Sequence, residues 1–171
     1  MKPFLVLFLA SSLFSLSFIS NFHQQKPYSC IPCGYDCDKE QFDKPGKCPH
    51  CQMELVLRST IRFKSIEPSE ICNYIKTNPG VILLDVRTKE EYDGKAEPNF
   101  GTLKNAINIP IQELEARIAE LSKYKKSDII VFCSHSHRSP RASYILGKYG
   151  FKKVSNMSGG MSVLKDRSCV K

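Results

Sequence analysis

Residues 129–138 read IIVFCSHSHR, four apolar residues followed by a cysteine and a polar stretch that ends in arginine. A short, uninterrupted apolar run is typical of a strand that is buried on both faces of a parallel sheet. The polar stretch predicts a loop, and a helix is expected to begin near Ser139. This order of strand, loop and helix places Cys133 at the carboxyl edge of a sheet, beside the N-terminus of a helix.

The sequence on both sides of this segment alternates between apolar runs and helical patterns. Residues 81–86 (VILLDV) predict a second buried strand, Pro68 fits the first turn of a helix, and a capping box that begins at Thr88 opens a short helix. Further elements are predicted at 69–76 (helix), 106–109 (strand), 111–121 (helix), 139–149 (helix) and 153–156 (strand). This alternation predicts an α/β domain over residues 60–166, with a mostly parallel central sheet flanked by helices.

The loop after Cys133 carries groups that are expected to act on an anion. Its backbone N–H groups can point inward, toward the positive end of the helix dipole. Arg138 closes the loop and adds a fixed positive charge with a planar fork of donors. Such surroundings favour the thiolate form of Cys133 and the binding of the anion that it attacks. The residues predicted to line the substrate are Ser134, His135, Ser136 and His137.

Four segments resemble, in the same order, the motifs of the rhodanese family. They are LLDVRTKEEY (83–92), AINIP (106–110), VFCSHSHRS (131–139) and NMSGGM (156–161). The resemblance covers essentially the whole α/β domain and implies a rhodanese-like fold with sulfurtransferase activity. It implies that the Cys133 thiolate attacks the outer sulfur of thiosulfate, releases sulfite and passes the sulfur on to a thiol or to cyanide. Sulfur transfer of this kind needs no cofactor.

The same resemblance assigns roles to individual residues. Cys133 and Arg138 are the catalytic residues that it implies. Asp85 and Arg87 match the family's strand-end motif and are expected to support the loop as a structural salt bridge. The loop lacks the Gly and Arg that are common inside it in the family, which leaves the choice of acceptor open. Either histidine of the loop could add a proton or a positive charge.

Two other functions stay open at this point. Dual-specificity phosphatases of the same fold resemble C-x5-R, whereas the spacing from Cys133 to Arg138 is C-x4-R, the size associated with sulfur. The loop also contains no acidic residue that could protonate a leaving alcohol. A non-enzymatic carrier of sulfur or of a heavy metal that uses the same fold to bind a partner is the main alternative, although a relative that only binds would need neither Cys133 nor Arg138.

A cysteine-rich module is predicted over residues 28–58, before the α/β domain. Two C-x2-C pairs lie either side of a Pro-Gly loop, as in a tetrahedral zinc site, and residues 30–55 resemble heavy-metal-binding modules that end in KPGKCPxCGMxL. The expected ligands are Cys30, Cys33, Cys48 and Cys51, with Cys37 as a further candidate. Soft thiolates would also accept copper(I), and disulfides are the alternative in an oxidising compartment.

The first twenty residues predict export. Lys2 supplies a positive charge, and Phe4 to Ile19 form an uncharged segment rich in Leu and Phe, as in a secretory signal peptide. An uncleaved membrane anchor is the alternative, and contact with the membrane is expected only in that case. Residues 21–29 form a polar tether. The protein is therefore expected in the periplasm or on the outer face of the inner membrane.

The α/β domain carries most of the positive charge of the chain. The net charge is +8, and residues 59–171 hold nineteen Lys and Arg against twelve Asp and Glu. A basic domain attracts small anions such as thiosulfate, whereas the lack of a basic run interleaved with aromatic residues argues against nucleic acid. Cys72 is predicted as a small buried hydrophobic residue, and Cys169 as a bystander in the tail of residues 167–171.

Overall fold

Two sheets organise residues 27–171, the part of the chain that the computed structural model describes. The strands are β1 (Tyr28–Cys30), β2 (Leu55–Leu57), β3 (Phe63–Ile66), β4 (Ile82–Asp85), β5 (Ile107–Asn108), β6 (Asp128–Phe132) and β7 (Lys153–Met157). The α-helices are α1 (Pro68–Thr77), α2 (Lys89–Tyr92) and α3 (Arg138–Lys148). Short 3-10 helices span Asp36–Lys39, Arg58–Thr60, Pro98–Phe100, Ile118–Tyr124 and Met161–Val163.

The larger sheet is parallel throughout and has the strand order β3-β7-β6-β4-β5. In its central strand β6, Ile129 and Val131 pack with α3 on one face, and Ile130 and Phe132 pack with α1 on the other. All four side chains are at most 2% exposed. This burial on both faces confirms the predicted α/β domain, and it places the carboxyl end of β6 in the middle of the sheet edge.

Most of the predicted elements are present, with two differences. The predicted helix over residues 111–121 is wrong, because turns lead there into the 3-10 helix Ile118–Tyr124. Leu114 and Leu121 are buried as their spacing required, but hydrogen bonds such as that from Glu120 N–H to Arg117 O close over three residues. The edge strand β3 was not predicted, because only its two end residues are partly buried.

The cysteine module is built on the small antiparallel sheet of β1 and β2. Its interior consists largely of thiols, and the four most buried cysteines are no more than 3% exposed: Cys30, Cys33, Cys37 and Cys48. Few aliphatic side chains join them. The cohesion of the module therefore depends on what the thiols bind.

Cys72 is buried in the apolar core as predicted, but the prediction of Cys169 as a bystander is wrong, because the two residues form a disulfide. The tail is not frayed either. Lys171 and Thr102 exchange two backbone hydrogen bonds of 2.9 and 3.3 Å, so the tail pairs with the segment before β5. The two cysteines lie 97 positions apart, and no local pattern of sequence reveals contacts over such a separation.

The predicted signal peptide, and the tether before residue 27, lie outside the described residues. Within residues 27–171, no helix combines the length and the apolar character that crossing a membrane requires. The export of the chain stays a prediction.

Candidate functional site

Cys133 follows β6 directly and faces the first turn of α3. Its Sγ lies 3.3 Å from Ser139 Oγ and accepts a hydrogen bond of 3.4 Å from the Ser139 backbone N–H. We call residues 133–138 the site loop. Among the described residues, the backbone N–H groups of 134–138 have no protein acceptor. Free donors beside a helix N-terminus are available to a thiolate and to an anion that the thiolate attacks.

The turn after β7 holds the backbone of the site loop from behind. Met161 N–H donates to Cys133 O at 2.8 Å, and Ser162 N–H donates to Ser134 O at 3.0 Å. A Cβ atom on Gly160 would lie 2.4 Å from Cys133 O, so only glycine allows this close approach. The NMSGGM segment therefore positions the loop that carries the thiol.

Arg138 does not offer a free guanidinium fork to the interior of the site loop. Its two terminal nitrogens donate to the Glu91 carboxylate at 2.6 and 2.7 Å, and one of them also lies 3.3 Å from Ser134 Oγ. A bidentate carboxylate occupies this fork in the structure, so the expected role of Arg138 in holding the substrate stays a prediction. Arg138 instead ties the start of α3 to α2.

Glu91 belongs to the site, although the sequence identified it only as a helix-capping residue. The capping box is confirmed, since Thr88 N–H donates to the Glu91 carboxylate at 2.9 Å. Ser134 Oγ also lies 2.9 Å from this carboxylate. Burial alone would raise the pKa of Glu91, but the hydrogen bonds from Arg138 and Thr88 hold that pKa well below its usual range. Glu91 is therefore a fixed negative charge beside the site loop.

A second carboxylate reaches the site loop from the segment before β5. Glu97 has a left-handed backbone conformation, with φ of 51°, and accepts a hydrogen bond of 2.6 Å from Ser134 Oγ. Three residues later, the Phe100 ring packs edge-on against His135 with the ring centroids 5.5 Å apart. This side of the loop is therefore acidic, and no local sequence pattern signals the contact.

Asp85 and Arg87 form a fully buried ion pair at the end of β4. Arg87 Nη2 lies 2.6 Å from Asp85 Oδ2, and both side chains are 0% exposed. Arg87 also donates to Gly101 O at 2.8 Å, and Asp85 accepts a hydrogen bond of 2.8 Å from Thr102 Oγ1. The pair is the expected structural salt bridge. It anchors the segment that carries Glu97 to the end of β4.

The four inner residues of the site loop divide into two buried serines and two exposed histidines. Ser134 and Ser136 are 0% exposed, whereas the His135 and His137 side chains face solvent. Ser136 Oγ donates to Cys33 O of the cysteine module at 2.7 Å. The loop is thus a contact surface for the module, and the proposed role of the histidines in supplying a proton stays a prediction.

Four thiols of the cysteine module converge on one point. The Sγ atoms that all lie within 4.8 Å of one another belong to Cys30, Cys37, Cys48 and Cys51. Compared with the predicted ligands, this set contains Cys37 in place of Cys33. Cys33 Sγ lies 3.4 Å from Asp38 Oδ1, and these two residues complete a second possible group with Cys30 and Cys37.

The four-thiol set fits a soft metal ion. A tetrahedral zinc ion with Zn–S bonds of about 2.3 Å separates its sulfur ligands by about 3.8 Å, which lies within the spread of the set. Burial raises the pKa of Cys30 above its usual range and that of Cys37 to about 11. These thiols therefore hold their protons until a cation displaces them, which is how thiolate metal sites couple to pH.

Comparison with known proteins gives the same division of the chain. The family model for a rhodanese-like domain matches residues 68–167, and that for a heavy metal binding domain matches residues 36–56. Among solved structures, a rhodanese-like domain protein from Staphylococcus aureus is 27% identical with a TM-score of 0.52, over 63% of this chain and 98% of that protein. A rhodanese-related protein from Thermoplasma volcanium is 28% identical with a TM-score of 0.50, over 61% and 93%.

Two curated relatives match just over half of the chain. The "Putative sulfur carrier protein YrkF" of Bacillus subtilis is 33% identical over 87 residues, which are 51% of this chain and 43% of that protein. A tRNA uridine(34) hydroxylase of Cronobacter sakazakii is 25% identical over 109 residues, or 57% and 30%. The chain thus spans less than half the length of either relative. With the matched residues covering more than half of its own length, the chain belongs to the rhodanese-like domain family.

Proposed function

We propose that the chain transfers sulfane sulfur through a persulfide on Cys133. The Cys133 thiolate attacks the outer sulfur of thiosulfate or of a persulfide donor, and the donor's S–S bond breaks to release sulfite or a thiolate. An acceptor thiolate then attacks the terminal sulfur of the Cys133 persulfide, takes that sulfur and regenerates the thiolate. Each S–S bond that breaks is replaced by one that forms, so no external oxidant or reductant is needed.

The observation that carries this proposal is the position of Cys133 Sγ at the N-terminus of α3, where it accepts the Ser139 backbone N–H and begins a loop whose N–H groups at 134–138 have no protein acceptor among the described residues. These donors stabilise the attacking thiolate and, after the attack, the negative terminal sulfur of the persulfide. Membership of the rhodanese-like family supports the same chemistry. A relative named as a sulfur carrier supports sulfur as the group that is moved.

The charges around Ser134 bear on the choice of donor. Glu91 neutralises Arg138, and Glu97 adds a further carboxylate on the same serine. Thiosulfate carries two negative charges and must therefore rely on the backbone N–H groups of the site loop. A persulfide donor carries one negative charge and meets less repulsion. We therefore favour a persulfide as the natural donor and use thiosulfate as a probe.

A sulfur carrier that does not turn over is the second candidate, because the Cys133 side chain is only 1% exposed. A persulfide formed there would be shielded from solvent and could persist until a partner collected it. A phosphatase is less favoured, since the C-x4-R spacing gives a smaller loop than phosphate esters require. The number of sulfur atoms transferred per chain separates a carrier from an enzyme.

Intact-mass spectrometry after incubation with thiosulfate tests the proposal. The protein is expected to gain about one sulfur mass, roughly 32 Da, and Cys133→Ser is expected to gain none. Peptide mapping assigns the added sulfur, because the chain has other free thiols. Cyanide should then remove the sulfur as thiocyanate over repeated cycles.

Three results would change the conclusion. Sulfur uptake that is unchanged in Cys133→Ser would contradict the mechanism. Loading without repeated cycles would favour the sulfur carrier. Hydrolysis of a phosphate ester by the same sample, without sulfur uptake, would favour a phosphatase.

We also propose that the cysteine module binds one zinc ion, with copper(I) as the alternative soft ion. The proposed ligands are Cys30, Cys37, Cys48 and Cys51. The residues that match the heavy metal binding domain, 36–56, include the last three of these, whereas Cys30 and Cys33 both precede the match. The ion would supply cohesion that the small apolar interior of the module does not provide.

We further propose that the chain is exported to the periplasm, or is held on the outer face of the inner membrane by an uncleaved N-terminal segment. The uncharged segment from Phe4 to Ile19 motivates this proposal. The Cys72–Cys169 disulfide supports it, because disulfides persist in oxidising compartments.

A further inference from the structure

The cysteine module touches the α/β domain at the site loop. We call residues 33–35 the tip of the module. Ser136 Oγ donates to Cys33 O at 2.7 Å, and Tyr35 OH donates to His135 O at 3.5 Å. The Tyr35 ring also lies against His137, with the ring centroids 5.6 Å apart. The tip therefore contacts three consecutive residues of the loop that carries the reactive thiol.

Both sides of this contact have backbone conformations that suit it. Gly34 has φ of +91°, which other residues rarely adopt, and its N–H donates to Asp38 Oδ2 at 2.7 Å. Across the contact, Ser136 is in the left-handed region with φ of 59°, and its buried hydroxyl is satisfied by Cys33 O. An unfavourable conformation persists where surrounding contacts hold it, so the tip helps to maintain the shape of the loop.

The tip contacts a loop whose thiol is almost closed off from solvent. Cys133 is 1% exposed and Ser136 is 0% exposed, while Tyr35 is 50% exposed. Tyr35 therefore has one side on the loop and the other in solvent, as expected of a wall at the entrance to a site. Its removal would widen the approach without opening the core.

Residues of the four-thiol set lie on both sides of the tip. Cys30 lies three residues before the tip, and Cys37 lies two residues after it. Both belong to the four-thiol set. An ion bound there would hold the two flanks at a fixed separation, whereas free thiols leave the flanks to the weaker contacts of the tip itself.

We propose that the tip of the cysteine module is a specificity-determining wall of the Cys133 site, and that the bound metal holds this wall in place. The wall admits small sulfur donors and acceptors and excludes bulky ones, including thiols on the surface of folded proteins. The consequence for the choice of acceptor rests on the proposed sulfur transfer, but the wall itself does not.

Thiol labelling measures the wall directly. The full chain, loaded with zinc and with its disulfide intact, is treated with iodoacetamide or with the much larger fluorescein maleimide. Peptide-resolved mass spectrometry then gives the labelling rate of Cys133 alone. Tyr35→Ala should raise the rate with the large reagent by at least about tenfold and the rate with the small reagent by less than about threefold, since a lid limits access by size.

Tyr149→Ala is the matched control. Tyr149 is similarly exposed, at 40%, but lies at the far end of α3, about 15 Å along the helix from the site loop. The labelling rates of Cys133 in Tyr149→Ala should equal those in the unmodified protein. Tyr35→Phe keeps the ring, and it should also label as the unmodified protein does.

Removal of zinc with a chelator should accelerate labelling by the large reagent in the unmodified protein and have little further effect in Tyr35→Ala. Rapid labelling of the zinc-loaded unmodified protein by the large reagent would overturn the proposal, as would equal rates in Tyr35→Phe and Tyr35→Ala. Labelling reports access and not sulfur transfer. A failure of thiosulfate loading would therefore contradict the proposed function and leave the labelling result standing.

Discussion

At the scale of single residues, Glu91 serves a helix and the site loop at once. Its carboxylate accepts from Thr88 N–H at the start of α2 and from both terminal nitrogens of Arg138. The sequence predicted the first role from the capping-box spacing. The second depends on residues 47 positions apart, so it is visible only in the fold. The orientation of Arg138 thus depends on Glu91, for which the sequence predicts only a helix-capping role.

Replacement of this carboxylate should weaken the fold in a way that depends on pH. Glu91→Gln keeps an oxygen for the Thr88 amide but loses the ion pair with Arg138, at a cost of about 2 kcal/mol in the free energy of unfolding at neutral pH. The pKa of Glu91 is lowered in the folded state, so the pair stabilises above the unfolded value of about 4.3 and is lost as pH falls through the lower folded value. Urea unfolding at pH 7 and at a series of pH values below the unfolded pKa, into strong acid, measures both.

The pair of Arg117 and Glu120 provides a control with similar geometry. Arg117 also contacts its carboxylate through two nitrogens, at 2.8 and 2.9 Å, but both side chains are more than a third exposed. Glu120→Gln should therefore destabilise the fold far less than Glu91→Gln does, because solvent screens this exposed pair. Equal losses in the two variants, or a loss in Glu91→Gln that stays constant into strong acid, would contradict the assigned role of Glu91.

At the scale of elements, the 3-10 helix Asp36–Lys39 determines which cysteines meet. It buries Cys37 in the thiol cluster, while the Asp38 carboxylate accepts from the backbone N–H groups of Cys33 and Gly34. Cys33 is thereby held at the tip, where its carbonyl meets the site loop. In the first C-x2-C pair, Cys30 lies in the four-thiol set and Cys33 contacts the site loop. The spacing of the pair does not predict this division.

Single replacements distinguish the two ligand sets. Cys37→Ser should weaken zinc binding by more than about 100-fold, because groups that only support a metal ligand already contribute about 10–100-fold. Cys33→Ser should retain one zinc per chain. Elemental analysis and competition with a chelator on the full chain measure this. Zinc loss in Cys33→Ser with retention in Cys37→Ser would restore the pair of C-x2-C motifs as the site.

The elements themselves were predictable where one interaction dominates. The run from Ile129 to Phe132 is buried on both faces, so its apolar pattern alone predicted β6 and the position of Cys133. The α-helix predicted over residues 111–121 is wrong because the spacing of apolar residues there fits an α-helix and a series of tighter turns equally well. The sequence does not predict β3 because a half-buried edge strand has few apolar residues in a recognisable pattern. Glu97 and the tip reach the site through tertiary packing, which no periodicity encodes.

At the scale of the whole molecule, the C-terminal tail connects a helix to the rim of the site. The disulfide joins Cys169 to Cys72 on α1, and Arg167 donates to Phe100 O at 2.6 Å. Phe100 packs on His135, in the same segment from which Glu97 reaches the site loop. The disulfide thus stabilises one side of the loop, as the metal is proposed to stabilise the other.

Export and this disulfide should occur together, and both can be read from the same preparation. The full-length chain, expressed in a bacterium with a periplasm, should be recovered outside the cytoplasm with Cys72 and Cys169 unreactive toward thiol reagents. A variant that lacks residues 2–20 should stay in the cytosol with both thiols reactive, because that compartment keeps thiols reduced. The bond closes a loop of nearly a hundred residues. Such a loop corresponds to about 5 kcal/mol in the chain-entropy model and to a fall in melting temperature on the order of 10 °C when the bond is absent. The double variant Cys72→Ala/Cys169→Ala should melt at the same temperature from either compartment, which controls for effects of the N-terminal segment. Recovery of the full-length chain in the cytosol with both thiols reactive would contradict export, and an oxidised chain that melts no higher than the reduced one would contradict the stabilising role of the tail.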